Sequence, residues 1–355
     1  MLPRLEARPE PSNTMRYASP LLAVALTLLG GLVIFATLGK SPIEGFRVFF
    51  LSPLKDAYGV SELFLKATPL MLIAVGLAVG FRANVWNIGA EGQYIIGAIA
   101  GGGVALYFEG NASLLLLPLM IVAGAIGGAL WASIAALLKT RFNANEILVS
   151  LMLVYIAQLT VSWLVHGPWK DPEGFNFPQT KMFHDAAILP ILVEGTRLNA
   201  AFLVALGILL AGYVFMHRSF MGFQMQVAGQ AEAAARYAGF SAKRTIWTGL
   251  LAGGAMAGIA GMGEVAGPMG QLTEHVSNNY GFAAIIVAFV GRLNPVGIFF
   301  ASLLMALLYL GGEQAQQYLG LPSSISKVFQ GMLLFFLLGS DVLILYRVRF
   351  TARFR

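Results

Sequence analysis

Apolar runs of about twenty residues follow one another almost without pause along this chain, and that pattern excludes most folds. A helix rises 1.5 Å per residue, so such a run matches the roughly 30 Å hydrocarbon core of a bilayer. Backbone groups in lipid must bond within their own segment, and runs without strand-like alternation can do so only as helices. Ten candidate crossings follow, near residues 19–38, 60–80, 88–107, 113–137, 146–166, 199–216, 246–266, 280–291, 295–312 and 326–346. The predicted fold class is an all-α polytopic integral membrane protein of about ten transmembrane helices. With 57% hydrophobic and 11% charged residues, no separate soluble domain can be drawn. The first run, Pro20 to Leu38, is longer than the core of a signal peptide and reads as an uncleaved span. The eighth is too short for a simple crossing, and Asn294-Pro295 follows at once, which predicts a tilted or re-entrant piece. Small-residue pairs at Gly97/Gly101, Gly124/Gly128 and Gly254/Gly258 permit close helix approach and are expected to pack the bundle internally.

Basic residues orient the bundle. With both termini in the cytosol, 15 of the 23 Lys and Arg lie inside, among them Arg82, Lys139, Arg141, Arg236, Lys243, Arg244 and the RVRFTARFR terminus. The predicted organisation is a cytosolic tail over residues 1–18, a membrane domain over 19–346 and a basic cytosolic tail over 347–355. Within the membrane domain, 217–245 is a cytosolic loop and 167–198 an external one. The external segment is rich in Pro, Gly and aromatics and reads either as a lid or as a structural loop with its aromatics at the interface. A net charge of +6, scattered between spans, suits an anionic lipid face rather than nucleic acid.

Two polar segments interrupt the apolar pattern. Gln226 to Arg244 is an alanine-rich, helix-prone island whose Glu232, Arg236, Lys243 and Arg244 cannot sit in hydrocarbon. Ala231 to Ala235 surround one acid, and Gly239 supplies a stop, which predicts a short cytosolic helix able to meet a soluble motor. Phe81 to Tyr94 (FRANVWNIGAEGQY) carries Asn84, Asn87, Glu91 and Gln93, with Gly89 and Gly92 where a helix can break. Asn87 and Glu91 stand four residues apart and are expected to share one helical face. The segment reads as part of a translocation path, or as a surface hairpin with Arg82 in solvent and Asn87 as an N-cap. Asn145-Glu146 suits a helix cap and its first turn, Glu264 an outer vestibule or headgroup water, and Asp341 a paired or hydrated site at the inner surface.

No catalytic constellation is present. There is no cysteine, no GxSxG and no HExxH; His166, His184, His217 and His275 are isolated in sequence. Gly39-Lys40-Ser41 resembles the end of a phosphate loop, but Ile34 stands where the motif needs glycine. The chain is therefore not expected to be an enzyme or to hold a cofactor.

Three segments resemble the membrane permease subunits of bacterial ABC importers for branched-chain amino acids, simple sugars and nucleosides. They are FRANVWNIGAEGQYIIGA (81–98), VAGQAEAAARYAGFSAKR (227–244) and YGFAAIIVAFVGRLNPVG (280–297), and the first is closest to the nucleoside-type branch. The resemblance implies a multi-pass protein of the bacterial cytoplasmic membrane that imports nucleosides. Its implied partners are a second permease, identical or homologous, two cytosolic ATPases that use ATP and Mg, and an external substrate-binding protein. It assigns ATPase coupling to Glu232, Ala233, Ala234, Arg236 and Gly239, although Gly239 stands one residue further from Ala234 than the family pattern places it. The substrate pathway would draw on Phe81, Asn84, Trp86, Asn87, Glu91 and Gln93, whose amides and aromatic faces suit polar, uncharged nucleosides. A sugar or amino-acid substrate is the alternative. From other classes come a secondary transporter with Glu91 or Glu264 as its ion site, and a scaffold that transports nothing, for which the polar break would serve no purpose.

Overall fold

A computed structural model describes residues 2–110 and 113–351. In chain order the elements are β1 (Leu2–Ala7), α1 (Asn13–Thr37), α2 (Pro42–Phe46), α3 (Ala57–Arg82), α4 (Ala90–Tyr107), α5 (Leu116–Phe142) and α6 (Glu146–His166). There follow α7 (Ala201–Arg218), α8 (Phe220–Gln230), α9 (Glu232–Tyr237), α10 (Ala242–Glu264), α11 (Tyr280–Val290), α12 (Pro295–Leu319), α13 (Ile325–Leu345) and β2 (Tyr346–Thr351). Every predicted crossing is a helix. Eight are long and apolar enough to cross a membrane. The other two are α4, whose first turn carries Glu91 and Gln93, and α11, whose 11 residues rise only about 16 Å.

The tail predicted over residues 1–18 is not featureless. Its first part is β1, which pairs antiparallel with β2, and α1 already begins at Asn13, where Ser12 accepts a hydrogen bond from the Met15 amide. Register places Glu6 opposite Arg347 and Arg4 opposite Arg349, and the Glu6 carboxylate meets Arg347 Nε at 3.0 Å and Arg349 Nε at 2.9 Å. The rest of the predicted basic tail, 352–355, lies outside the described residues. The chain divides into two units, one holding the residues up to Gly59 with those from Leu307 on, the other Val60–Ala306.

In the first unit α1 packs along α13, and the buried Ser19 hydroxyl of α1 donates to the Asp341 carboxylate at 2.6 Å. Phe35, Phe49 and Phe329 form an aromatic cluster with centroids 4.5 to 6.1 Å apart. Gly31 lies under Phe329 and Gly45 under Phe35.

In the second unit α3 is enclosed: Ala67 through Phe81 is buried without interruption, as expected of a helix apolar on every side. Beside it α4, α5 and α10 meet through their glycines. A Cβ on Gly258 would overlap the Gly124 carbonyl, one on Gly254 would lie 2.6 Å from Ala132 Cβ, and one on Gly97 would overlap Gly258 itself. The three predicted glycine pairs therefore belong to one internal seam, where missing side chains let backbones touch. The outer face of α5, by contrast, exposes Leu119, Val122, Ile126 and Leu130 in a helical stripe suited to lipid.

The seam makes a stability prediction. Alanine normally favours a helix over glycine by about 1 kcal/mol, but overpacking a close contact costs roughly 1–3 kcal/mol. Gly258→Ala should therefore lower the unfolding temperature in detergent, whereas Gly207→Ala, which enters open space on α7, should hold or raise it. Equal effects at the two sites would mean that the seam is not close-packed.

Candidate functional site

The three segments singled out in the sequence come together within the second unit, and each contains a helix stopped in the same way. α3 ends with Asn84 at φ +57°, the Asn84 amide bonding to Phe81 O and the Val85 amide to Gly80 O. α9 ends with Gly239 at φ +78°, bonded to Arg236 O at 3.1 Å, and Phe240 N bonds to Ala235 O at 2.9 Å. α11 ends with Arg292 at φ +58°, bonded to Phe289 O, and Leu293 N bonds to Ala288 O. This paired bonding is the Schellman arrangement, which satisfies carbonyls a helix end would leave open. Glycine and asparagine accept the left-handed conformation readily; arginine and leucine do not, and Leu293 follows at φ +52°. The turn at 292–293 is therefore strained.

Between α3 and α4 the chain leaves the helix for residues 83–89, so of the two glycines expected at a break, Gly92 lies within α4 and Gly89 closes the break. Its polar atoms are engaged inside the protein. Asn87 Nδ2 donates to Gln93 Oε1 at 2.8 Å, and Gln93 Nε2 returns a bond to Asn87 Oδ1 at 3.0 Å. Asn87 Oδ1 also accepts from the Gly89 amide at 3.0 Å. Glu91 accepts from the Gly281 amide at 2.7 Å and faces the amides of Asn279 and Phe282, which places its carboxyl group at the N-terminus of α11. Asn87, Glu91 and Gln93 are each 1% exposed. Asn87 and Glu91 do not share a helical face, because Gly89 caps α4 and Asn87 lies before the cap. Hydrogen bonding accounts for this: buried polar groups must be paired, and each of these side-chain amides offers the other both a donor and an acceptor.

Phe81 is buried and stacks on Phe289 with centroids 5.3 Å apart at 17°. Trp86, half-buried, lies 5.2 Å from Phe81 and 5.8 Å from Phe289, and its Nε1 donates to the Oδ1 of exposed Asn84 at 2.9 Å. The aromatic rings of Phe81 and Trp86 are thus packed on one another and on Phe289. If the amide pair holds the break, Asn87→Ala should cost about 1–3 kcal/mol for the orphaned Gln93 group. Adding Gln93→Ala should then cost little more, and additive losses by denaturant unfolding would disprove the pairing.

The island of residues 226–244 holds more helix than its sequence suggested. The polar end of α8 leads through Ala231 into α9, whose Glu232 bonds Arg236 at 2.9 Å one turn on. Glu232, Ala233, Ala234, Arg236 and Gly239 are all exposed, and Tyr237 is 97% exposed; only Ala235 faces inward. Phe240 returns the chain to a cluster with Phe220 and Phe223, centroids 6.0 and 6.4 Å away. α8 is seated on the break itself, since a Cβ on Gly229 would overlap the Arg82 carbonyl.

The remaining candidates lie elsewhere in this unit. Asn145 caps α6 through the amides of Ile147 and Leu148, and Glu146 pairs with Lys139 at 2.8 Å. Glu264, half-buried, borders a cavity of about 10 Å³ with Thr68 and Asn199, room for a single water. The segment 167–198 is tied down rather than loose, with Thr180 N bonding Leu272 O, Phe183 N bonding Gly270 O and Leu189 N bonding Ala266 O. Arg82, placed in solvent by the surface-hairpin reading, is instead half-buried and bonded to the Leu293 and Met216 carbonyls. The N-cap of α4 is Gly89 rather than Asn87. Within the 280–297 segment nothing local to the sequence singles out Gly281, Phe289 or the 292–293 turn.

A family model described as the branched-chain amino acid transport system / permease component matches residues 59–338. The chain is similar to the glucose ABC transporter permease protein TsgB13 of Haloferax volcanii, 36% identical and covering 94% of this chain and 90% of that one. It is similar also to the guanosine ABC transporter permease protein NupP of Bacillus subtilis, 30% identical with 94% of each chain covered. A third relative is the nucleoside ABC transporter permease protein NupB of Lactococcus lactis, 29% identical with 92% of each covered.

Proposed function

Because the chain belongs to the permease-component family of branched-chain amino acid transport systems, we propose that it forms the membrane passage of an ATP-driven importer. The observation that carries this reading is α9, an exposed six-residue helix capped by Gly239 and joined to α8, which rests on the broken helix at 83–89. A soluble partner that moves α9 would press on the break through α8, and rigid-body rocking would change access to the passage. ATP is hydrolysed, with Mg, in separate cytosolic subunits. A second permease completes the passage, and an external binding protein delivers the solute. Both termini, α9, Lys243 and Arg244 face the cytosol, and the membrane is the cytoplasmic one.

The solute is neutral and built on a sugar, with nucleosides first. The guanosine and nucleoside permeases, each similar over nearly the whole chain, support that choice. The glucose permease at 36% identity favours a free monosaccharide as the second reading. In this structure the Asn87–Gln93 amides satisfy each other. Opening of the break would turn them, with Asn84 and Trp86, toward solute hydroxyls.

The test is uptake of radiolabelled nucleosides, monosaccharides and branched-chain amino acids by cells with and without this chain, before and after ATP depletion. Loss of nucleoside uptake alone, dependent on ATP, is the expected result. Loss of monosaccharide uptake would keep the importer and change its solute. Uptake that follows the proton gradient and ignores ATP would replace the importer with a secondary transporter.

A further inference from the structure

Arg82 closes α3, and its side chain bonds outside its own helix. Nε donates to the Leu293 carbonyl oxygen at 3.0 Å and Nη1 to the Met216 carbonyl oxygen at 3.3 Å, with Nη2 3.5 Å from His217 Nε2. Met216 lies in the last turn of α7, where carbonyls lack intrahelical partners. Leu293 belongs to the strained turn between α11 and α12. The backbone carbonyl of the same arginine lies against Gly229 of α8 with no room for a methyl group. One half-buried residue thus touches the end of α7, the end of α8 and the 292–293 turn.

We propose that Arg82 is the positioning residue through which displacement of α8 and α9 reaches the α11–α12 turn; this rests on the importer reading above. The contact at Gly229 leaves no slack, so the end of α3 must follow α8. The guanidinium is a planar fork that can hold two carbonyls in fixed relation, which the point charge of a lysine cannot reproduce. It carries that movement to the C-terminus of α7 and to Leu293. There, two consecutive residues in left-handed conformation form a turn already displaced from its relaxed geometry, and so one suited to a second arrangement. Phe289, one turn earlier, passes the shift to Phe81 and Trp86 at the break.

The experiment measures solute taken up per ATP hydrolysed by the full complex in vesicles, for wild type, Arg82→Ala, Arg82→Lys, Gly229→Ala and the Ala/Ala double variant. Coupling between sites commonly spans about 5–150-fold, so Arg82→Ala should lower the ratio about tenfold while hydrolysis stays near the wild-type rate. Arg82→Lys should recover part of the ratio. Gly229→Ala, which leaves the arginine intact but wedges α8 away, should lower the ratio as well, and the double variant no further than Arg82→Ala alone. An unchanged ratio in Arg82→Ala, or additive losses in the double variant, would overturn the linkage. Parallel loss of uptake and hydrolysis would assign Arg82 to folding or assembly and overturn it too. The importer reading fails separately, if wild-type uptake in the same vesicles needs no ATP.

Discussion

Gly239→Pro is expected to reduce uptake to background while the protein remains folded in the membrane. Proline holds φ near −65°, and Gly239 sits at +78° with its amide bonded to Arg236 O. Both the conformation and the hydrogen bond are lost, so the Schellman stop of α9 cannot form. A six-residue helix has little else to define it, since Ala235 alone among its residues is buried. The seam of α4, α5 and α10 does not involve this loop, so unfolding temperature in detergent should change little. Gly239→Asn, which tolerates the left-handed region, should keep most uptake. Normal uptake by the proline variant would remove the coupling role of α9.

Glu91→Ala should produce the largest loss of stability. The carboxyl group is 1% exposed and faces three amides at the start of α11, where intrahelical partners are absent. Each buried donor left unsatisfied costs about 1–3 kcal/mol, so removing the acceptor should cost at least about 3 kcal/mol. Glu91→Gln retains one acceptor oxygen and should lose less than half as much. Denaturant unfolding in detergent measures both, and equal losses would show that Glu91 does not cap α11. The pair also separates two mechanisms: a proton-coupling Glu91 would make the glutamine variant stable yet inactive, whereas a capping Glu91 leaves its uptake largely intact.

How much could be read beforehand is clearest at these residues. Gly239 was legible as a stop because a helix end is a local event, written within one turn by an alanine-rich run and a glycine. The partner of Glu91 was not, because Gly281 lies 190 residues away and nothing near Glu91 points to it. Asn87 was misplaced on a helix for a related reason. Its amide matched Gln93 across the cap, and that choice appears only when both are buried together. α8 was missed because Phe220–Gln230 mixes apolar and polar residues without a long run, and it is held by contacts such as Gly229 on Arg82.

The sequence by itself determined the ten helical runs, the break after α3, the capped helix at 232–237 and the glycine pairs of the seam. All of these follow from hydrophobic length, local capping and side-chain size, which act within a few residues. The tertiary structure alone decided which glycine faces meet, that Glu91 caps α11, that Arg82 binds carbonyls up to 211 residues away, and that β1 pairs with β2. These depend on which surfaces are brought together when apolar helices pack. In an almost uniformly apolar chain many pairings bury equal area, so close backbone approach and the satisfaction of a few buried polar groups choose among them.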